Sequence, residues 1–166
     1  MAVSLLFLSS CSRSQPLETV REVDLQKYAG IWYEIASYPQ RFQQGCHCTT
    51  AEYTLSEKGY VIVQNRCRKD SVDGREAYIK GKAFVVKNTG NAKLLVQFFW
   101  PFRGKYWIID LADDYSWAVV GHPNRKYLWI LSRKPSIDPA TYSGILEQIR
   151  LKGFDPEKLQ MTLHKR

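Results

Sequence analysis

Between Ile31 and Arg133 the chain breaks into eight short runs rich in aromatic and β-branched residues, each ended by turn-forming residues. The runs are 31–38, 49–55, 60–67, 76–86, 93–100, 105–112, 115–121 and 127–133. Links such as Glu57-Lys58-Gly59, Asn88-Thr89-Gly90-Asn91, Phe102-Arg103-Gly104, Asp113-Asp114 and His122-Pro123-Asn124 are too short for crossover helices. Sequential antiparallel hairpins in up-and-down order follow from that spacing. With 45% hydrophobic and 13% aromatic residues among 166, there is enough apolar material for one core in one domain. The longest uncharged stretch near either end, Met1 to Ser12, falls short of the roughly 20 apolar residues a membrane-crossing helix needs.

Two helical signals flank the strands. Asp24 is placed to cap a single turn, Leu25 to Tyr28, which Gly30 ends; this turn should lie on the barrel as a lid. After the eighth run Asp138 and Pro139 open a helix whose Tyr142, Ile145, Leu146 and Ile149 recur at helical spacing, and Gly153 closes it. A short strand, Leu159 to Leu163, comes last. The expected fold is all-β: an eight-stranded antiparallel up-and-down barrel, closed on itself, with one C-terminal α-helix packed outside and an interior able to hold a small ligand. The long link from Pro39 to Cys48 is placed to cover an opening.

Of Cys46, Cys48 and Cys67, an oxidising compartment would leave one thiol free. Cys67 returns along the second hairpin to the level of residues 48 and 49, so either Cys46 or Cys48 can pair with it. Cys46-His47-Cys48 lacks the second ligand pair that structural zinc needs, so no metal is expected.

The N-terminal residues are those of an exported protein. A mostly apolar run from Ala2 to Leu8 is followed by Ser9, Ser10 and Cys11, and Leu8-Ser9-Ser10-Cys11 resembles the bacterial lipobox, in which the Cys thiol takes a diacylglycerol. Ser12 rather than Asp in the next position points to the outer membrane. Residues 1–10 are accordingly read as the end of a signal peptide, 11–23 as the tether of a lipid anchor, and 24–166 as the barrel domain.

Gly30-Ile31-Trp32-Tyr33 at the first strand, Asp113-Asp114-Tyr115 between the sixth and seventh, and Arg133 at the end of the eighth resemble the three signature regions of the lipocalin family. Trp32 to Ala36, the corner Phe98-Phe99-Trp100-Pro101-Phe102 and Tyr127 to Arg133 resemble its bacterial branch, the group that includes apolipoprotein D and the plant temperature-induced lipocalins. Physical reasons accompany three of the motif positions: Gly30 permits a sharp turn, Trp32 plugs one end, and Arg133 can lie over the indole, while the resemblance makes Asp114 and Tyr115 structural motif residues as well.

Strand alternation then assigns an interior. Arg133 shares a face with Leu131, Trp129 and Tyr127; Ala36 shares parity with Trp32 and Glu34; Ala77, Ile79, Gly81, Ala83 and Val85 form the small apolar set of the fourth strand. Leu94, Val96 and Phe98 serve the fifth, and Tyr53, Val61 and Val63 the second and third. Tyr106 and Trp117 are further lining candidates. Arg103, with Arg41 and Lys105, lies at the expected open end, where a carboxylate or phosphate could meet positive charge.

Such a cavity suits an acyl chain. The expected function is a membrane-anchored protein that stores or transports fatty acids or lysophospholipids in the cell envelope, held on the periplasmic side of the outer membrane by Cys11, with no cofactor. A second copy of the chain is a candidate partner. The competing reading is a thiol-dependent enzyme or scavenger of oxidised lipids, using Cys48 or Cys46. Against catalysis, no Ser-His-Asp or Cys-His pairing is evident, and His47 points away from its cysteine neighbours if they share a strand. A net charge of +8 also admits a nucleic-acid module, but the aromatic stacking signature of an RNA-binding sheet is lacking.

Overall fold

The computed structural model describes residues 15–165, and the lipobox, the signal and Cys11 lie outside them. Eight antiparallel strands form the wall: β1 (Gly30–Ser37), β2 (Cys46–Leu55), β3 (Val61–Lys69), β4 (Glu76–Val85), β5 (Lys93–Gln97), β6 (Gly104–Leu111), β7 (Trp117–Gly121) and β8 (Leu128–Ser132). Each pairs with its sequence neighbour, and β1 pairs with both β2 and β8, which closes the barrel. A ninth strand, β9 (Gln160–Met161), adds to β1 at Ala36 and Ser37, beyond the pairing of β1 with β2. Closure leaves the ladder with almost no free edge, as the short turns required.

Helix α1 (Leu25–Tyr28) precedes β1, with the Asp24 carboxylate accepting from the backbone N–H groups of Gln26 and Lys27. Helix α2 (Pro139–Leu151) starts at Asp138, which accepts from Ala140 and Thr141, and buries Ile145 and Ile149 against the barrel. Gly153 takes φ +81°, a left-handed turn that most residues resist, and so releases the chain from the helix.

The sheet has two packed faces. Its inner face, with α1 across one end, gathers Val23, Tyr28, Trp32, Tyr53, Val63, Ala83, Leu94, Ile108, Val120 and Leu131. Its outer face between β6 and β1 packs Ile35, Ile109, Val119, Leu128 and Ile130 against Ile145, Ile149 and Phe154. Part of the segment read as tether also belongs here: Leu17 is buried under the helix side and Val23 in the barrel, with the N–H groups of Val20 and Val23 donating to Ile108 and Gly90.

Two expected lining residues are corrected. Ala36 is buried but faces α2, because the pairing of β1 with β8 slips between Glu34 and Ala36; this bulge inserts Ile35 and reverses the alternation beyond it. Trp117 also packs on the α2 side. Its strand is apolar on both faces, one turned to the interior and one to the helix, so alternation in the sequence carried no sign.

Candidate functional site

One end of the barrel is plugged. Trp32 is fully buried there, its indole N–H donating to the Tyr28 carbonyl at 2.8 Å. The Arg133 guanidinium lies 3.8 Å from the centre of the indole ring and spends its N–H groups on the carbonyls of Lys27, Tyr28, Ile31 and Tyr115. The Tyr115 hydroxyl accepts from the Asp24 N–H, and hydrogen bonds from the side chain and the N–H of Ser116 hold the Asp114 carboxyl below its ordinary pKa. Arg133 bonds α1, β1 and the β6–β7 turn together, so the motif residues act as one structural knot at the end where β1 begins.

Above the plug the floor of the interior is a cluster of phenols. Tyr28 from α1, Tyr53 from β2 and Tyr106 from β6 meet with both Tyr28 and Tyr53 hydroxyls 2.8 Å from that of Tyr106. Burial pushes all three phenols up, Tyr53 to about 12, so each stays protonated near neutral pH. Leu25, Leu55, Val61, Ala83, Leu94 and Val96 complete the walls around them, leaving room for about one water molecule. Of the expected lining, Tyr53, Val63, Ala83 and Leu131 are buried in this inner cluster. Val96, Phe98, Tyr106 and Trp129 pack on it while partly open. Ile79 shares the Ala83 face of β4 but stands outside the packed cluster, two pleats away toward the other end.

That other end carries the β1–β2, β3–β4, β5–β6 and β7–β8 loops. The first is clasped to the wall. From the short 3-10 turn Arg41–Gln43, the Gln43 amide N–H donates to Glu34 Oε2 at 2.8 Å, and its oxygen accepts from Trp129 Nε1 at 3.3 Å. Glu34, 6% exposed, also accepts from the hydroxyls of Ser37 and Thr162. It is therefore a hydrogen-bonded acid joining the mouth loop to β1 and to the segment just after β9. Glu34 was visible in the sequence; Gln43 and Tyr28 were not, since neither sits in a repeating pattern.

The rim is exposed and aromatic: Phe42 is 69% accessible, Phe99 68%, Trp100 86% and Phe102 77%. Arg103 does not line the interior. It stacks 4.5 Å from the centre of the Phe84 ring on the outer wall, because β6 starts at Gly104 and residue 103 falls on the corner outside it. Arg41 and Lys105 are likewise exposed, and Lys105 pairs with Leu95, away from the inner Tyr106 and Leu94.

The disulfide joins Cys46 to Cys67, with Cα atoms 5.4 Å apart, and among the described residues Cys48 is free. A bulge in the β2–β3 ladder between His47 and Thr50 gives Cys48 a left-handed φ of +51° and diverts it from Cys67. Among the described residues, no three His, Cys, Asp or Glu side chains gather as a metal-ion site.

Comparisons with known proteins agree with this architecture. A family model described as a lipocalin-like domain matches residues 23–164. The chain is 36% identical over 160 residues to the outer membrane lipoprotein Blc of Escherichia coli K12, covering 95% of this chain and 90% of that protein. It is 35% identical over 160 residues to temperature-induced lipocalin-1 of Arabidopsis thaliana, covering 91% of this chain and 84% of that protein. Among solved structures, insecticyanin from the tobacco hornworm Manduca sexta superposes with a TM-score of 0.74 at 22% identity, covering 93% of this chain and 87% of the other, which speaks to the fold.

Proposed function

Since the chain belongs to the lipocalin family, we propose that it is a lipid-binding protein of the bacterial cell envelope that holds fatty acids or lysophospholipids in its barrel. The observation that carries this reading is the aromatic rim. A barrel with Phe42, Phe99, Trp100 and Phe102 exposed at one end has an apolar surface in need of a partner. Aromatic side chains favour the headgroup layer of a bilayer, and Arg41 and Arg103 beside them complement anionic lipid. A barrel mouth set against that layer can take up an acyl chain without passing it through water.

Relatives described as outer membrane lipoproteins support the same location, with Cys11 as the acylated residue and the barrel on the periplasmic side. One buried acyl chain contributes several kcal/mol at about 25 cal/mol per Å² of apolar area, enough for micromolar binding after the cost of association. The filled floor sets a condition: Phe98 and Trp129, which are only partly buried, must move to admit a chain. Ala36, Trp117 and Arg103 are no longer part of the proposed lining, and Tyr28 and Gln43 join it.

Cys11→Ala provides the test. The variant should leave the membrane fraction, and native mass spectrometry of the released protein should find a fatty acid or lysophospholipid at one per barrel; the same spectrum reports whether a second copy joins. A barrel that comes away empty and takes up no added acyl chain would overturn the reading.

A further inference from the structure

The hydroxyls at the barrel floor do not balance. Tyr28, Tyr53 and Tyr106 bring three O–H donors, and two hydrogen bonds join them through Tyr106. Whichever way the chain of donors runs, two protons are used and one is left. Among the described residues these hydroxyls have no other hydrogen-bond partner.

A complementary imbalance lies on the adjoining strand. Asn65 is on β3 at the parity of the buried Val61 and Val63, so it faces the interior, and its Oδ1 is buried with no hydrogen-bond partner. Asn65 stands opposite Ala51, one pleat repeat from Tyr53 toward the mouth. An unspent donor and an unspent acceptor thus occupy the same face of the β2–β3 ladder.

Taken together, the two groups do not suit an anion. Arg133, the cation whose charge reaches Tyr28, lies at the plug with its N–H groups committed to backbone carbonyls. A carboxylate at the floor would be buried beside Asn65 Oδ1 without a counter-ion, which is costly. A saturated chain end would leave both groups unpaired.

We infer that Tyr28, Tyr53, Tyr106 and Asn65 form a polar subsite at the floor of the barrel, which selects lipids carrying a neutral hydroxyl on the acyl chain, away from the head group. An alcohol accepts from the phenol and donates to Asn65. A ketone at the same position satisfies only the phenol. Burial holds all three phenols protonated near neutral pH, so the donor persists under envelope conditions. This inference rests on the lipid-binding reading and narrows it to hydroxylated chains.

The test compares octadecanoic acid with its 12-hydroxy and 12-oxo derivatives, by displacement of a fluorescent fatty acid from the full chain. The hydroxy acid should bind about five- to ten-fold tighter than octadecanoic acid, with the oxo acid between them. In the triple variant Tyr28→Phe, Tyr53→Phe, Tyr106→Phe the three affinities should converge; in Asn65→Leu the hydroxy acid should fall to the level of the oxo acid. Should the triple variant not fold, the wild-type protein still decides. The 13C-labelled ketone of the bound oxo acid should absorb at the lower frequency of a hydrogen-bonded carbonyl. Octadecanoic acid binding as tightly as both derivatives, or a ketone band at its hydrocarbon frequency, would overturn the subsite and leave the lipid reading standing. Failure of all three acids to bind would overturn both.

Discussion

The two faces of one sheet are packed to opposite ends. Under α2, Ile109, Val119, Leu128, Ile130, Ile145 and Ile149 are all at most 1% exposed and wholly aliphatic. Inside the barrel, phenols meet hydroxyl to hydroxyl and Val96, Phe98, Tyr106 and Trp129 stay partly open. The first arrangement resists change because every methyl group has neighbours. The second has bonds that can be exchanged and side chains with room to turn. Room to rearrange is thus confined to the inner face, which the stable face holds in a ring.

If that division is right, Ile149→Ala should cost about 3 kcal/mol of stability in urea unfolding while leaving the affinity of the folded protein for a fatty acid unchanged. A comparable loss of affinity would mean the two faces are coupled. The alkaline limb comes next. The buried phenol of Tyr53, pushed up to about 12, keeps a proton that the unfolded chain sheds near pH 10. Stability from this group is therefore complete below about pH 10 and lost as pH rises toward 12, by about 3 kcal/mol. Urea titrations at pH 9 and pH 11 should show the fall, and Tyr53→Phe should make it shallower, the remainder belonging to Tyr28 and Tyr106, whose phenols are also pushed up. Trp129→Ala should cost less stability than the isoleucine variant but weaken fatty-acid binding about ten-fold, equivalent to about 1.4 kcal/mol. Gln43→Ala should change stability least, by about 0.5 to 1 kcal/mol, and be felt instead as faster release of a bound probe in stopped-flow displacement.

The stable face and the barrel's closure were legible in the sequence because they rest on repeated signals. Turn residues recur between runs, Tyr142, Ile145, Leu146 and Ile149 fall on one helical stripe, and small residues alternate with Lys and aromatic residues along β4. Interior assignments held wherever alternation ran unbroken, as at Tyr53, Val63, Ala83 and Leu131. They failed at Ala36 because a bulge costs only one extra residue and leaves no trace in composition. They failed at Trp117 because a strand buried on both faces has no polar residue to mark the outside. The floor and the clasp escaped for a different reason. Tyr28 sits in a helix of one turn, and Gln43 in a loop, where a side chain's direction is set by partners far away in the chain.

The Gln43 clasp separates how strongly the barrel holds a molecule from how long it holds it. Its amide bonds to Glu34 and Trp129 are made by the protein with itself, not with any guest. Breaking them adds the same delay to the escape of every occupant, whatever its length. Residence time then becomes a property of the container, adjustable at one loop, while the choice of contents is left to the floor.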